Sequence, residues 1–177
     1  MAEGLVRELL AGRGEQVELS SAGIVGWEGS PAVDEAVLAA AELGADISGH
    51  RARRLEPHHV EDADLIVCMA DEHRESVLRL VPDAEDRTFG LKELGRLVAE
   101  LSPPGSGSAF RDRVRAANEL RRSGGAPSHP DEDVADPIGL SLDAFRAVAA
   151  DIEEWSRRMA AGLFPAGAGA ERQSAGT

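Results

Sequence analysis

Leu65-Ile66-Val67-Cys68-Met69 is an unbroken apolar run set between Asp64 and Ala70-Asp71. A short run without polar alternation reads as a strand covered on both faces, as strands of a parallel sheet are. Directly downstream, Asp71 to Val81 places Val77, Leu78 and Val81 on one helical side and stops at Pro82. Arg87-Thr88-Phe89 then predicts a second short strand. Leu91, Leu94, Leu97, Val98 and Leu101 predict a second amphipathic helix. Strand and helix alternating in this way give an α/β domain with a parallel sheet and helices on both faces.

The same reading extends upstream. Leu5, Val6, Leu9 and Leu10 predict a helix over residues 1–11, ended by Gly12 and Gly14. Val17 to Ser21 alternate like a strand, Trp27 to Pro31 form a Gly/Ser/Pro loop, and Asp34 to Leu43 form a helix stopped at Gly44. His50 to Pro57 are a basic loop carrying Arg51, Arg53 and Arg54.

Downstream, Ser102 to Ser108 read as a linker, Phe110 to Arg122 as a charged surface helix, and Ser123 to Asp133 as an acidic loop. Ser141 is a good helix start. Leu142, Phe145, Val148, Ile152, Trp155 and Met159 make one apolar stripe behind it. A single domain over residues 1–162 is expected, with a Gly- and Ala-rich disordered tail over 163–177.

Composition narrows the function classes. The 177 residues carry 19 Lys plus Arg against 32 Asp plus Glu, a net charge of −13. That balance argues against general nucleic-acid binding and against adsorption on anionic membranes, both of which need a basic face. No apolar run approaches a membrane span, and no secretion signal is visible, so the expected location is the cytoplasm. Cys68 is the single cysteine, which excludes an internal disulfide.

Few residues suggest chemistry on their own. In Asp136-Pro137-Ile138-Gly139 the proline holds the aspartate backbone extended, so the carboxylate can be presented at fixed geometry as a general acid. The same dipeptide also serves simply to start a turn before the last helix. Cys68 lies inside the apolar run and reads as a buried structural thiol rather than a nucleophile. His58, His59 and His73 fit no ligand spacing, so neither a metal nor a cofactor is expected. Arg51, Arg53 and Arg54 suit an acidic partner, and equally helix capping or surface pairing. Trp27 can wall a pocket or cover an edge of the core. No Gly-rich nucleotide loop and no nucleophile elbow is present.

Several segments taken together resemble the low-molecular-weight protein tyrosine phosphatases. They are Met1-Ala2-Glu3-Gly4, Ser20-Ser21-Ala22-Gly23, Ser48-Gly49-His50-Arg51-Ala52-Arg53, Ala63 to Met69, and Asp136-Pro137-Ile138-Gly139, in the family's order. The stretch 102–133 is longer than usual for the family and resembles the longer members of high-GC actinobacteria. The resemblance implies a parallel sheet whose first strand leads into a Cys-x5-Arg-Ser/Thr-Pro loop. There the cysteine attacks phosphorus, while backbone N–H groups and the arginine hold the phosphoryl oxygens.

In many members Met-Ala-Glu follows that proline, and this sequence starts at the equivalent Met1-Ala2-Glu3. The expectation is therefore a start at an internal methionine, with the first strand and loop lost. Losing about five buried apolar side chains forfeits about 8–15 kcal/mol, against a domain stability of about 5–15 kcal/mol. The 177-residue chain is expected to fold poorly, with the Val17 segment detached from the sheet. Cys68 to Arg74 also spells Cys-x5-Arg, but Asp71 and Glu72 would sit inside a cradle meant for a dianion, and no glycine lets the backbone turn inward.

The resemblance makes Asp136 the general acid and base. It places Trp27 and Ile138 along the substrate cleft, and Ser21 and His50 in a network supporting the phosphate loop. The complete form is expected to hydrolyse phosphotyrosine or phosphoarginine in proteins through a cysteinyl-phosphate, and the chain as given to be inactive. A non-catalytic binding module is the alternative. An arsenate reductase on the same fold lacks the relay cysteines it needs, since Cys68 is alone.

Overall fold

The apolar run at 65–69 forms strand β1 (Ile66–Cys68). It pairs in parallel with β2 (Thr88–Gly90) in the register Ile66–Thr88, Val67–Phe89 and Cys68–Gly90. The computed structural model describes residues 1–25, 27–105, 108–125 and 132–164. Among them the sheet has these two strands.

The two-sided burial read from the sequence holds residue by residue. Leu65, Val67 and Met69 pack against the main core, together with the fully buried Phe89. Ile66 and Cys68 turn the other way, into a smaller cluster with Val60, Val77 and Ala84. Side chains alternate across a strand, so a core on each face requires apolar residues at both parities.

Five helices supply the main core: α1 (Ala2–Gly12), α2 (Asp34–Glu42), α5 (Leu91–Glu100), α6 (Phe110–Arg122) and α7 (Leu142–Leu163). The smaller cluster is closed by α3 (Pro57–Glu61), α4 (Asp71–Leu80) and a 3-10 turn at Pro82–Arg87. The α3 helix and the 3-10 turn are additions to the sequence reading. Each is a proline-initiated element too short for an apolar period to register.

Helix α7 is the hub, in contact with α1, α2, α5 and α6. Ser141 caps it, its Oγ accepting from the Ala144 N–H at 3.4 Å, and Phe145, Ile152 and Met159 are buried as their spacing predicts. A side chain at Gly162 would collide with Val98, so glycine lets the end of α7 lie directly on α5.

The structure corrects three expectations. The strand expected at Val17 to Ser21 is absent: the segment is detached from the sheet, as expected, but forms no ladder at all, and Val17 is more than one-third exposed. The alternating pattern is present, but no strand lies alongside to accept its hydrogen bonds. Helix α6 is not a surface element only, because Val114 and Ala117 enter the core and Arg121 stacks its guanidinium over the Phe89 ring at 4.3 Å. Finally, Leu163 and Phe164 are buried, with Phe164 stacked on Phe110. The packed domain therefore runs two residues past the expected boundary, and the rest of the expected tail, 165–177, lies outside the described residues. No helix among the described residues is long and apolar enough to cross a membrane.

Candidate active site

Ligands of parallel α/β sheets bind beyond the carboxyl ends of the strands. At that end β1 leaves through Met69, and the segment before α7 returns to it. The Val134 N–H donates to the Met69 carbonyl at 2.7 Å. Asp133 accepts from the Asp71 N–H at 3.0 Å, satisfying a free donor at the start of α4. Glu132 pairs with Arg96 of α5. Val134 and Pro137 are buried. The short arm 132–137 is thus fastened to β1, α4 and α5 in turn.

Asp136 projects from this arm and is exposed. Its Oδ1 accepts from the Ile138 N–H at 3.0 Å, and a turn from the Pro137 carbonyl to the Leu140 N–H, 2.9 Å, closes behind it. Gly139 takes φ +79°, a left-handed conformation that suits glycine. The turn reading of Asp-Pro holds, and the carboxylate is engaged within it. The dipeptide starts the turn into α7, and the turn fixes the carboxylate. Ile138 stands at the tip, 65% exposed.

A pocket of about 150 Å³ lies below the arm, lined in part by Cys68, Asp71, Arg74, Glu93 and Asp133. Cys68 is only 4% exposed, and burial pushes its thiol up to about 11, which Arg74 offsets only in part. A thiol held there is protonated at neutral pH and is no nucleophile. The folded chain should accordingly be alkylated by iodoacetamide at pH 8 at least about a hundredfold more slowly than the urea-unfolded chain. Equal rates in the two states would place an accessible thiolate at Cys68.

A second and larger pocket, about 530 Å³, lies beside the start of α1. Glu3 is its organising residue. Ser21 donates its hydroxyl to Glu3, and Arg7 pairs with Glu3 one helical turn on. His50 Nδ1 stands 3.9 Å from the same carboxylate. Burial disfavours the charged form of Glu3, but the hydrogen bonds from Ser21 and Arg7 outweigh it and hold the carboxyl below its usual range. Gly4 lets α1 approach Ile47, which a side chain would strike. Ser21 and His50 are thus brought together through a carboxylate that the site reading omitted. The one local signal for it was the i,i+4 spacing of Glu3 and Arg7.

Trp27 stands apart from both pockets, 80% exposed in a loop tied to residue 52 by the Gly29 N–H to Ala52 carbonyl bond of 2.9 Å. Asp136 and Ile138 likewise line neither pocket. The structure therefore forms two groups: Asp136 and Ile138 on the arm, and Ser21 with His50 around Glu3.

Comparison with known proteins gives these groups a context. The family model described as low molecular weight phosphotyrosine protein phosphatase matches residues 1–104. A protein-arginine-phosphatase of Geobacillus stearothermophilus is 26% identical over 144 residues, covering 81% of this chain and 75% of its own. A probable low molecular weight protein-tyrosine-phosphatase of Ralstonia solanacearum is 37% identical over 94 residues, which are 53% of this chain and 62% of that protein. Against that relative, then, the matched region spans less than two thirds of its length. The crystal structure of the low molecular weight protein tyrosine phosphatase from T. tengcongensis superposes with a TM-score of 0.66 at 28% identity, over 89% of this chain and 86% of that one. With residues 1–104, more than half of the chain, matched by the family model, the chain belongs to the low molecular weight phosphotyrosine protein phosphatase family.

Proposed function

We propose that this chain belongs to a protein phosphatase acting on phosphotyrosine or phosphoarginine, with Asp136 as its general acid. The observation that carries the reading is the fixing of Asp136 on an arm bonded to the carboxyl end of β1. In a polypeptide that also holds the family's Cys-x5-Arg loop, the thiolate sulfur bonds to phosphorus as the bond to the leaving oxygen or nitrogen breaks. Asp136, protonated, gives its proton to that leaving atom. As a carboxylate it then takes a proton from the water that attacks the cysteinyl-phosphate. Inorganic phosphate leaves, the thiolate is restored, and Asp136 is protonated again.

Residues 1–177 supply this acid but no attacking thiol, because Cys68 is buried and protonated. The 177-residue chain is expected to release no nitrophenol from para-nitrophenyl phosphate above background. The same chain preceded by a strand and a Cys-x5-Arg-Ser-Pro loop is expected to turn over. Turnover by residues 1–177 that is lost in Cys68→Ser would overturn the assignment of the nucleophile.

Binding without turnover is a second reading, and one observation favours it. The pocket beside α1 is lined by Arg7, Arg51, Arg53 and His50 from residues 1–177 alone.

A further inference from the structure

We propose that the strip Arg51-Ala52-Arg53-Arg54 is a docking surface for a short acidic polypeptide segment. Arg51, Arg53 and Arg54 are all exposed. None of their side chains has an ion-pair partner among the described residues; Arg51 bonds only to the neighbouring His50 carbonyl, at 2.7 Å. Elsewhere this acidic chain pairs its arginines readily: Arg146 with Glu42, Arg157 with Glu153, Arg158 with Glu154 and Arg111 with Asp64. Arg79 and Arg122 also lack an ion-pair partner among the described residues, but each stands singly, whereas Arg51, Arg53 and Arg54 lie together within four residues of a chain with 32 acidic residues against 19 basic ones.

The strip is also held rigid. The Ala52 N–H donates to the Ser30 carbonyl at 2.9 Å, and the Gly29 N–H to the Ala52 carbonyl at 2.9 Å. On the other parity, the Gly23 N–H donates to the Arg53 carbonyl and the Leu55 N–H to the Gly23 carbonyl, both at 2.8 Å. The backbone from 52 to 55 is therefore held by Gly23, Gly29 and Ser30. Guanidiniums on a fixed backbone lose less freedom on binding than guanidiniums on a mobile loop.

The carboxylates nearest the strip are each engaged by donors other than its guanidiniums. Glu3 is engaged by Ser21 and Arg7, and Asp46 by the Ser48 N–H at 2.9 Å. Glu28 accepts from the backbone N–H of Arg54 at 2.9 Å, and Arg54 is exposed.

Size selects the partner. Four residues of extended chain span about 10 Å, enough for three or four residues of a peptide. A nucleic acid carries its charge far beyond that distance and would meet the acidic remainder of a surface of net charge −13. Arg51 and Arg53 also line the pocket beside α1, so a segment docked here has its neighbouring residues at the pocket mouth. The inference concerns binding and does not depend on turnover, so it stands or falls separately from the phosphatase reading.

The test is fluorescence anisotropy of a labelled peptide of alternating glutamate and serine, titrated with residues 1–177 at low salt. The expected result is saturable binding that weakens roughly tenfold in Arg51→Ser/Arg53→Ser/Arg54→Ser, at a few-fold per exposed pair. Binding should be restored in the corresponding triple lysine variant and should fall as salt rises to about 0.3 M. Arg157→Ser/Arg158→Ser removes two charges elsewhere and should leave binding within about twofold. No binding, equal binding by the triple serine variant, or an equal loss in the α7 variant would overturn the proposal. So would a single-stranded oligonucleotide of equal charge that binds the strip as tightly as the peptide.

Discussion

Asp136→Asn should lower kcat about 10²–10⁴-fold in the polypeptide that carries the Cys-x5-Arg loop, with KM changed little. Asparagine keeps the size of the side chain and can still accept from the Ile138 N–H, so the turn into α7 should survive. What is lost is the proton for the leaving group. The deficit should be larger for phosphotyrosine than for para-nitrophenyl phosphate, whose leaving phenol is more acidic and needs protonation less. Steady-state kinetics on both substrates decide the matter. An unchanged kcat on phosphotyrosine would remove Asp136 from the mechanism, however well the arm presents it.

Phe89→Ala should cost about 3–5 kcal/mol, out of a domain stability of about 5–15 kcal/mol. Phe89 is fully buried in β2, and its ring lies between the main core and the Arg121 guanidinium. Truncation leaves a cavity and removes the face on which Arg121 stacks. Arg121 then keeps its bonds to the Thr88 carbonyl at 2.8 Å and the Glu85 carbonyl at 2.6 Å and its pairing with Glu93, but without the ring beneath it. A fall in Tm of roughly 6–20 °C is expected, and in a chain of low reserve that amounts to loss of the folded state at room temperature. Thermal melts by circular dichroism measure it. A shift under about 2 °C would mean that the core around β2 is not the one described here.

Much of the fold was legible because it is periodic. The run at 65–69 stated its two-sided burial outright, and β1 carries it into two cores. The stripe from Leu142 to Met159 located α7 and its face, and Ser141 its start. Helix α6 was less legible. Its charge reads as solvent-facing, but Val114 and Ala117 recur at a helical interval narrow enough to be buried between flanking arginines whose heads reach backbone carbonyls. The Val17 segment shows the opposite failure. Alternation states which face a strand would bury, but not whether a neighbour exists to pair with it.

The site divides along the same line. The Asp-Pro dipeptide announced a fixed aspartate locally, and the fixing bond to Ile138 is itself local. The resemblance named Ser21 and His50 but not the carboxylate that joins them.

The sequence by itself determined the class of the domain, the places of its main strand and helices, the buried and inert character of Cys68, and the candidate acid. Each of these follows from spacing within a few residues, where the chain's own geometry sets which side chains share a face. Only the tertiary structure decided that the Asp136 arm is tied to Met69, that Glu3 gathers Ser21, Arg7 and His50, and that Arg51, Arg53 and Arg54 stand unpaired on a fixed strip. These depend on how separate elements pack, and a polar or charged group is satisfied by whatever that packing brings within about 3 Å, wherever it lies in the chain.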